Sequence, residues 1–259
     1  MQIDRTVSVA FSATGSTRAI VSRVAAGIAS CEEEFDITRA DAHRPRAFAP
    51  SEVVAIGVPS YGGRVPAPAA AKIAACSGNG ALAVLVVSYG NRAVGDALAE
   101  LAELAEAAGF VVVAAGAFVA RHSLFGRVAS GRPDDSDKAD IDAFARAVRE
   151  KIERAATASA LTRPAIPGTR PYRAFDGVPF SPEVAGACTA CGRCARECPT
   201  GAIPEENPAF TDAERCISCM RCVAVCPLAG RRITGWRFKA AGWAFSLACA
   251  RRRGSLVFL

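Results

Sequence analysis

The first 160 residues alternate between two hydrophobic patterns. Five short runs are rich in Val, Ile and Phe, and most of these runs are apolar throughout, as strands covered on both faces of a sheet must be. These runs are residues 6–11, 33–38, 53–58, 81–88 and 110–120. Between them, apolar residues recur at helical spacing, as in Ile20, Val21, Val24 and Ile28. Strands that alternate with helices predict an α/β fold, with an open five-stranded parallel sheet and helices on both faces.

Beyond residue 160 both patterns stop. Residues 161–187 are rich in Pro and Gly and have no periodicity, which is typical of a linker. We therefore divide the chain into an α/β domain (1–160), a linker (161–187), a cysteine-rich unit (188–228) and a basic aromatic tail (229–259). Hydrophobic residues make up 51% of the chain and charged residues 22%, as in globular proteins. No apolar run approaches the ~18 residues of a membrane span, and the start of the chain has no secretory pattern, so we expect a cytoplasmic protein.

Eight of the eleven cysteines form two matched groups between residues 188 and 226. Each group reads C-x2-C-x2-C-x3-C-P, the spacing that binds 4Fe–4S clusters in bacterial ferredoxins. Three closely spaced cysteines wrap around one face of a cluster, while the fourth lies a helical turn further on and faces the other cluster. This predicts crossed ligand sets. They are Cys188, Cys191, Cys194 and Cys226 for cluster I, and Cys216, Cys219, Cys222 and Cys198 for cluster II.

A zinc site is the alternative for these cysteines, because two C-x2-C pairs can hold one tetrahedral ion. Zinc would need four cysteines and leave four others in matched positions, so two clusters are favoured. Residues 188–228 resemble the two-cluster bacterial ferredoxins, and this resemblance implies one-electron transfer at low potential. Cys31, Cys76 and Cys249 lie outside the pattern and are interpreted as small buried hydrophobic residues.

A second candidate site lies at the ends of three predicted strands. The strand over 6–11 runs directly into Ser12, Thr14, Gly15, Ser16 and Thr17, and a helix follows. Hydroxyl groups and a glycine at the start of a helix form a cradle for a phosphate, because the helix offers free amides there. A Ser/Thr-rich helix cap is the alternative.

The other two strand ends carry glycines and tyrosines, and parallel strands bring these loops to one edge of the sheet. The loops contain Ser60, Tyr61, Gly62 and Gly63 after the third strand and Tyr89, Gly90 and Asn91 after the fourth. A site that holds a phosphate in the cradle and a flat ring between the two tyrosines would fit FMN.

These residues resemble the phosphate loop and the two aromatic loops of flavodoxin. With the cysteine groups, the whole chain is similar to the flavodoxin–ferredoxin fusion proteins of anaerobic bacteria. This resemblance implies strand order 2-1-3-4-5 and bound FMN. It implies that the hydroxyl-rich loop holds the phosphate, that Tyr61 and Tyr89 flank the flavin ring, and that Gly62 or Gly63 supplies the peptide facing flavin N5.

Three arginines beside the predicted loops depart from the acidic flavin surface of ordinary flavodoxins. They are Arg18, Arg64 and Arg92, and each is either a cation near the flavin or a solvated surface residue. His122 and Ser123 follow the fifth strand at the same edge. We interpret His122 as a surface histidine, and a position near the flavin or the domain interface is the alternative.

The net positive charge of the chain comes from its C-terminal part. Residues 1–187 hold 20 basic and 20 acidic residues, whereas 188–259 hold 11 and 5, so the net charge of +6 lies there. In the tail, 229–259, seven basic residues and no acidic one accompany both tryptophans. The tail is either a closing helix packed on a domain or a docking surface for an acidic protein or a membrane. No recognition motif supports nucleic acid.

Together these features favour an electron-transfer protein that relays electrons between FMN, two 4Fe–4S clusters and external redox partners in anaerobic metabolism. The alternative is an FMN-dependent iron–sulfur reductase that acts on a small substrate. A cluster-based oxygen sensor is a third class, but the sequence shows no DNA-binding or effector unit for it.

Overall fold

The structure is a computed structural model that describes residues 3, 5–41 and 45–259. Its first half alternates strands and helices as the hydrophobic pattern predicts. These elements are β1 (Thr6–Ala10), α1 (Ser16–Ile28), β2 (Cys31–Asp36), β3 (Val53–Pro59), α2 (Ala67–Ala74), β4 (Leu82–Tyr89), α3 (Ala97–Ala107), β5 (Val111–Val119) and α4 (Asp135–Arg154). The C-terminal elements are β6 (Glu183–Val184), α5 (Arg193–Arg196), α6 (Arg221–Ala224), β7 (Arg231–Arg232), α7 (Trp236–Ala248) and β8 (Leu256–Phe258).

The main sheet has the order β2-β1-β3-β4-β5-β8, and its first five strands are parallel. The order 2-1-3-4-5 is that of the flavodoxin-like fold, which confirms the predicted fold class. Alternate residues of β4 enter opposite layers of the core, with Leu85 on the α2–α3 side and Val84 on the α1–α4 side. The strand order reverses between β1 and β3, and the predicted phosphate loop begins at the carboxyl end of β1.

The sixth strand comes from the far end of the chain. β8 pairs antiparallel with β5, with Gly116 opposite Val257. The sequence did not predict this strand, because three apolar residues after an arginine run are too short to show a period. The tail 229–259 is thus not one unit: β7 pairs with β6, whereas α7 and β8 return to the first domain.

The linker packs along the α/β domain. Ile166 packs against the core, the amide of Thr169 donates to Asp96 at 2.9 Å, and the carbonyl of Arg173 accepts from Arg64 at 2.8 Å. Successive contacts run from the end of α3 back to its start, so the linker travels from one edge of the sheet to the carboxyl edge. It delivers the cysteine-rich unit to the loops that follow β1 and β3.

The cysteine-rich unit is a repeat of 28 residues. Its left-handed backbone positions occur in matched pairs at that offset: Ala190 with Ser218, Gly192 with Met220, and Gly201 with Ala229. A non-glycine residue rarely adopts a positive φ, so its recurrence at Met220 (φ 65°) shows how closely the second loop follows the first. Among the described residues, no helix is long and apolar enough to cross a membrane.

Candidate redox site

Two cavities lie inside the cysteine-rich unit, and each is lined by four cysteines. The first is lined by Cys188, Cys191, Cys194 and Cys226. The second is lined by Cys198, Cys216, Cys219 and Cys222. Each cavity draws its fourth cysteine from the opposite half of the repeat, which is the arrangement that crossed ligation requires. Within the described part of the chain, no three such side chains converge on a position for a single metal ion.

Backbone amides point at the cysteine sulfurs in the same way in both halves. The amide of Ala190 donates to Cys188 Sγ at 3.4 Å, and the amide of Ser218 donates to Cys216 Sγ at 3.4 Å. The fourth cysteines repeat this: Cys226 Sγ accepts from the amide of Gly230 at 3.3 Å. Amide donors to thiolate sulfur stabilise the added negative charge of a reduced cluster.

Burial changes the acidity of the inner cysteines. Burial raises the pKa of the Cys222 thiol to about 11 and raises that of Cys219 further. These thiols ionise only with difficulty unless iron is present, because burial penalises the charged form. Assembly of this half of the site is therefore coupled to binding of the cluster.

The two ligand loops differ sharply in exposure although their backbones match. Cys188 and Cys191 of the first loop are exposed, whereas their repeat partners Cys216 and Cys219 are half-buried and buried. The difference arises because the second loop lies against the α/β domain, where Ile217 packs on the core. The first site therefore faces solvent, and the second faces the carboxyl edge of the sheet.

One side chain joins the second ligand loop to the predicted phosphate loop. Arg221, between ligands Cys219 and Cys222, donates from Nη1 to the carbonyl of Ala13 at 3.3 Å. Its other nitrogens bind Glu197, with Nε to Oε2 at 2.9 Å. Sequence reasoning missed this residue, because its repeat partner is also an arginine and only tertiary packing distinguishes the two.

In the hydroxyl-rich loop, some side chains form hydrogen bonds within the protein, whereas other residues remain accessible to a ligand. Ser12 Oγ accepts from the amide of Arg18 at 3.0 Å, and the Thr17 hydroxyl is 2.7 Å from that of Ser88, so both shape the loop internally. Thr14, by contrast, is exposed, and Gly15 and Ser16 are half-buried.

Gly15 is the residue before α1 and has a φ of 92°. No side chain at this position caps the free amides of the first turn of the helix. A Cβ built on Gly15 would meet nothing within 4 Å. Together these features leave an open cradle at the start of a 13-residue helix, where an anionic group is favoured.

The loop after β3 is partly covered: Gly62 is exposed, and Tyr61 and Gly63 are half-buried. The Tyr61 hydroxyl is hydrogen-bonded to Ser123, and burial raises its pKa well above the ordinary value, with a further contribution from Cys219 nearby. A Cβ on Gly62 would collide with the ring of Phe175 from the linker, so that ring lies directly over the Gly62 backbone. Gly63 contacts Gly95 of the next loop, and Ser60 Oγ donates to the carbonyl of Val94 at 2.9 Å.

The loop after β4 differs from the expectation. Tyr89 is buried in the core layer on the α2–α3 side, and its hydroxyl donates to the carbonyl of Gly254 at 2.6 Å. It is therefore a core residue tied to the C-terminal segment, not a free wall beside a ring. Asn91 is buried too, and its amide donates to the carbonyl of Cys249 at 2.8 Å. A Cβ on Gly90 would collide with the ring of His122.

The flanking basic residues are largely engaged. Arg64 forms a two-bond ion pair with Glu100, with both N–O distances at 2.8 Å, and Arg92 lies over the ring of Phe245 at 5.5 Å. Arg18 is exposed beside the cradle. His122 is not a simple surface residue as expected, because it is half-buried against Phe245, with ring centres 4.8 Å apart. Burial lowers its pKa to about 4, and Arg92 contributes to the shift.

A buried arginine lies between the two cysteine cavities. Arg231 is 3% exposed, and its Nη1 donates to the carbonyl of Pro208 at 2.6 Å and to Cys194 Sγ at 3.7 Å. Its Nε is buried without a hydrogen-bond partner. No carboxylate of the described residues forms an ion pair with it. At the matching position of the first half, the buried residue is Ile203.

Comparison with known proteins identifies the cysteine-rich unit. Residues 185–230 match the family model of the 4Fe-4S dicluster domain. Comparison with curated proteins finds no match to the chain.

Solved structures similar to the chain include a flavodoxin from the domain Archaea, with 17% identity and a TM-score of 0.41, covering 58% of this chain and 99% of that one. Another is the rubredoxin oxygen:oxidoreductase from the anaerobe Desulfovibrio gigas, with 14% identity and a TM-score of 0.41, covering 57% of this chain and 36% of that one. The fold assignment of the first domain rests on its own strand order. The C-terminal unit is a two-cluster 4Fe–4S domain, and its role is electron transfer.

Proposed function

We propose that this chain is an electron-transfer relay in which two 4Fe–4S clusters exchange electrons with an FMN held at the carboxyl edge of the sheet. The contact from Arg221 to the carbonyl of Ala13 carries this proposal. It ties the ligand loop of cluster II directly to the loop that would hold the flavin phosphate. A relay needs its centres held close together, and this contact lies at that junction.

The open cradle fits a terminal phosphate. Thr14 and Ser16 would supply hydroxyl donors, Gly15 lets the backbone approach closely, and the start of α1 supplies amides. Tyr61 would lie nearest the flavin ring, on the side toward Cys219. Bound FMN would supply a centre that takes one or two electrons, whereas each cluster moves one at a time.

The difference in burial between the two clusters suggests the order in which electrons pass through them. Cys188 and Cys191 expose cluster I to external redox proteins, whereas Cys219 and Cys222 bury cluster II against the α/β domain. We place cluster I as the port for the partner and cluster II as the link to the flavin. Joining the centres on one chain replaces a collision between molecules by transfer at a high effective concentration.

The two-cluster domain favours a relay over a reductase for a small substrate, because each cluster passes one electron at a time. We place the relay in a reducing, anaerobic cytoplasm, because an exposed cluster is vulnerable to oxygen; its partners are one-electron redox proteins.

Anaerobic purification and cofactor analysis test the proposal. We expect about eight iron and eight acid-labile sulfur atoms per chain from two four-iron clusters, together with one FMN. Stoichiometric zinc without sulfide would refute the cluster half. FAD, or no flavin after reconstitution with FMN, would refute the flavin half. Saturable turnover of a small oxidant would favour the reductase.

A further inference from the structure

The helix α7 exposes a stripe of large apolar side chains. Trp236 is 74% exposed, Trp243 70% and Leu247 58%. They are spaced by seven and four residues, which places them on one side of a helix. Contiguous exposed apolar patches bordered by polar residues mark sites that bind a protein or a membrane.

The opposite face of α7 packs on the protein through half-buried aromatic rings. Phe238 stacks on Phe125 at 5.3 Å between ring centres and meets Phe180 at 5.3 Å. Phe245 lies 5.0 Å from Phe125 on the same side. The inner aromatic contacts set the rotation of the helix, so that the tryptophan stripe faces outward.

Basic residues border the stripe on both sides. Arg237 and Lys239 are exposed and fall on opposite flanks at helical spacing. The guanidinium of Arg237 lies 5.7 Å from the centre of the Trp236 ring. Residues 229–259 contain no acidic side chain, so nothing in the tail opposes an anionic surface.

We propose that the outer face of α7 docks the protein on an anionic lipid bilayer. Tryptophan rings favour the headgroup region, leucine reaches the acyl boundary, and flanking cations bind anionic headgroups. A two-fold dimer through the same face is disfavoured, because it would bring the Arg237 and Lys239 charges of both copies together. The inference is independent of the proposed flavin.

Vesicle flotation of the anaerobically purified full chain tests this. We expect binding to phosphatidylcholine vesicles that contain phosphatidylglycerol, weaker binding in high salt, and little binding to phosphatidylcholine alone. Both tryptophans of the chain lie on α7, so their emission reports on this surface directly and should shift to the blue on binding. The double variant Trp236→Ser/Trp243→Ser should lose binding.

Reversing the charge of the flanking basic residues is a second test of lipid binding. Arg237→Glu/Lys239→Glu should weaken binding about 25-fold or more, since each neutralised cation is worth about fivefold. The matched controls are Phe210→Ser, an exposed apolar residue off the helix, and Arg149→Glu/Arg154→Glu on the exposed surface of α4. Both controls should bind like the unmodified chain.

Three results would overturn the proposal. The first is no binding to anionic vesicles. The second is an equal loss of binding in the controls. The third is a concentration-dependent dimer, seen by sedimentation, that the double tryptophan variant abolishes, since this would assign the face to a second copy of the chain.

Discussion

Replacing Arg231 with methionine should lower the reduction potential of the clusters. The side chain is buried, one of its nitrogens has no hydrogen-bond partner, and no carboxylate of the described residues pairs with it. Burial raises the pKa of Cys222 and Cys216 around one cavity, and the Arg231 charge opposes that rise; at the other cavity, backbone amides and the Arg231 charge lower the pKa of Cys226. An electron added to either cluster is stabilised by this cation, so its removal makes reduction harder.

The size of the effect follows from distance. Arg231 Nη1 lies 3.7 Å from Cys194 Sγ, and the cluster charge is spread somewhat further away. At about 7 Å and an effective dielectric constant of about 20, one unit charge contributes about 2 kcal/mol. For a one-electron centre, where 59 mV corresponds to a factor of ten, this is a fall of about 100 mV. Solvent near the exposed cluster I would reduce that figure.

An anaerobic redox titration monitored by electron paramagnetic resonance measures the shift. Arg231→Lys keeps the charge and should move the potential much less than Arg231→Met does. Arg232→Met removes the same charge from the exposed neighbour on β7, so it is the matched control and should have a small effect. Iron content must stay complete in all three. Equal potentials in Arg231→Met and the unmodified chain would refute the electrostatic reasoning.

Three further predictions follow from the site. Cys198→Ser should damage the cluster held by the second half of the repeat and Cys226→Ser the one held by the first; damage confined to the residue's own half would contradict crossed ligation. Thr14→Ala should weaken FMN binding by about 1–3 kcal/mol, measured by flavin fluorescence, because a donor to a charged phosphate is lost; unchanged affinity would count against the cradle. His122 has a folded pKa of about 4 against 6.5 unfolded, so the unfolded chain binds more protons between these values and stability should fall as pH drops from 6.5 to 4, by about 2 kcal/mol after allowance for solvent. Urea unfolding at both pH values checks this, and His122→Phe should remove the dependence.

The fold of the first domain was predictable because β1, β3, β4 and β5 are buried on both faces. Leu85 and Val84 enter different layers of the core, and a strand with two buried faces shows as a continuous apolar run. β8 was not predictable, since its pairing with β5 depends on where the chain returns and not on a local pattern. The formation of β8 therefore depends on tertiary packing.

The candidate site also has one part that the sequence predicts and another part that depends on tertiary packing. The cysteine spacing specifies two ligand sets, because a cluster demands that spacing whatever surrounds it. Tyr89 was expected beside a ring, but alternation along β4 turns it into the core, where Gly254 binds its hydroxyl. The contact of Arg221 with Ala13 depends on how two domains dock, and no local signal in the sequence reports that.

The most direct test of the relay is the rate at which electrons pass from the clusters to the flavin. After rapid reduction of the holoprotein, the change in flavin absorbance should have a rate that does not depend on protein concentration. Arg221→Met should slow this rate by loosening the junction, whereas Arg193→Met, the matching exposed arginine of the first half, should leave it unchanged. A rate that rises in proportion to protein concentration would show transfer between molecules and would contradict the relay.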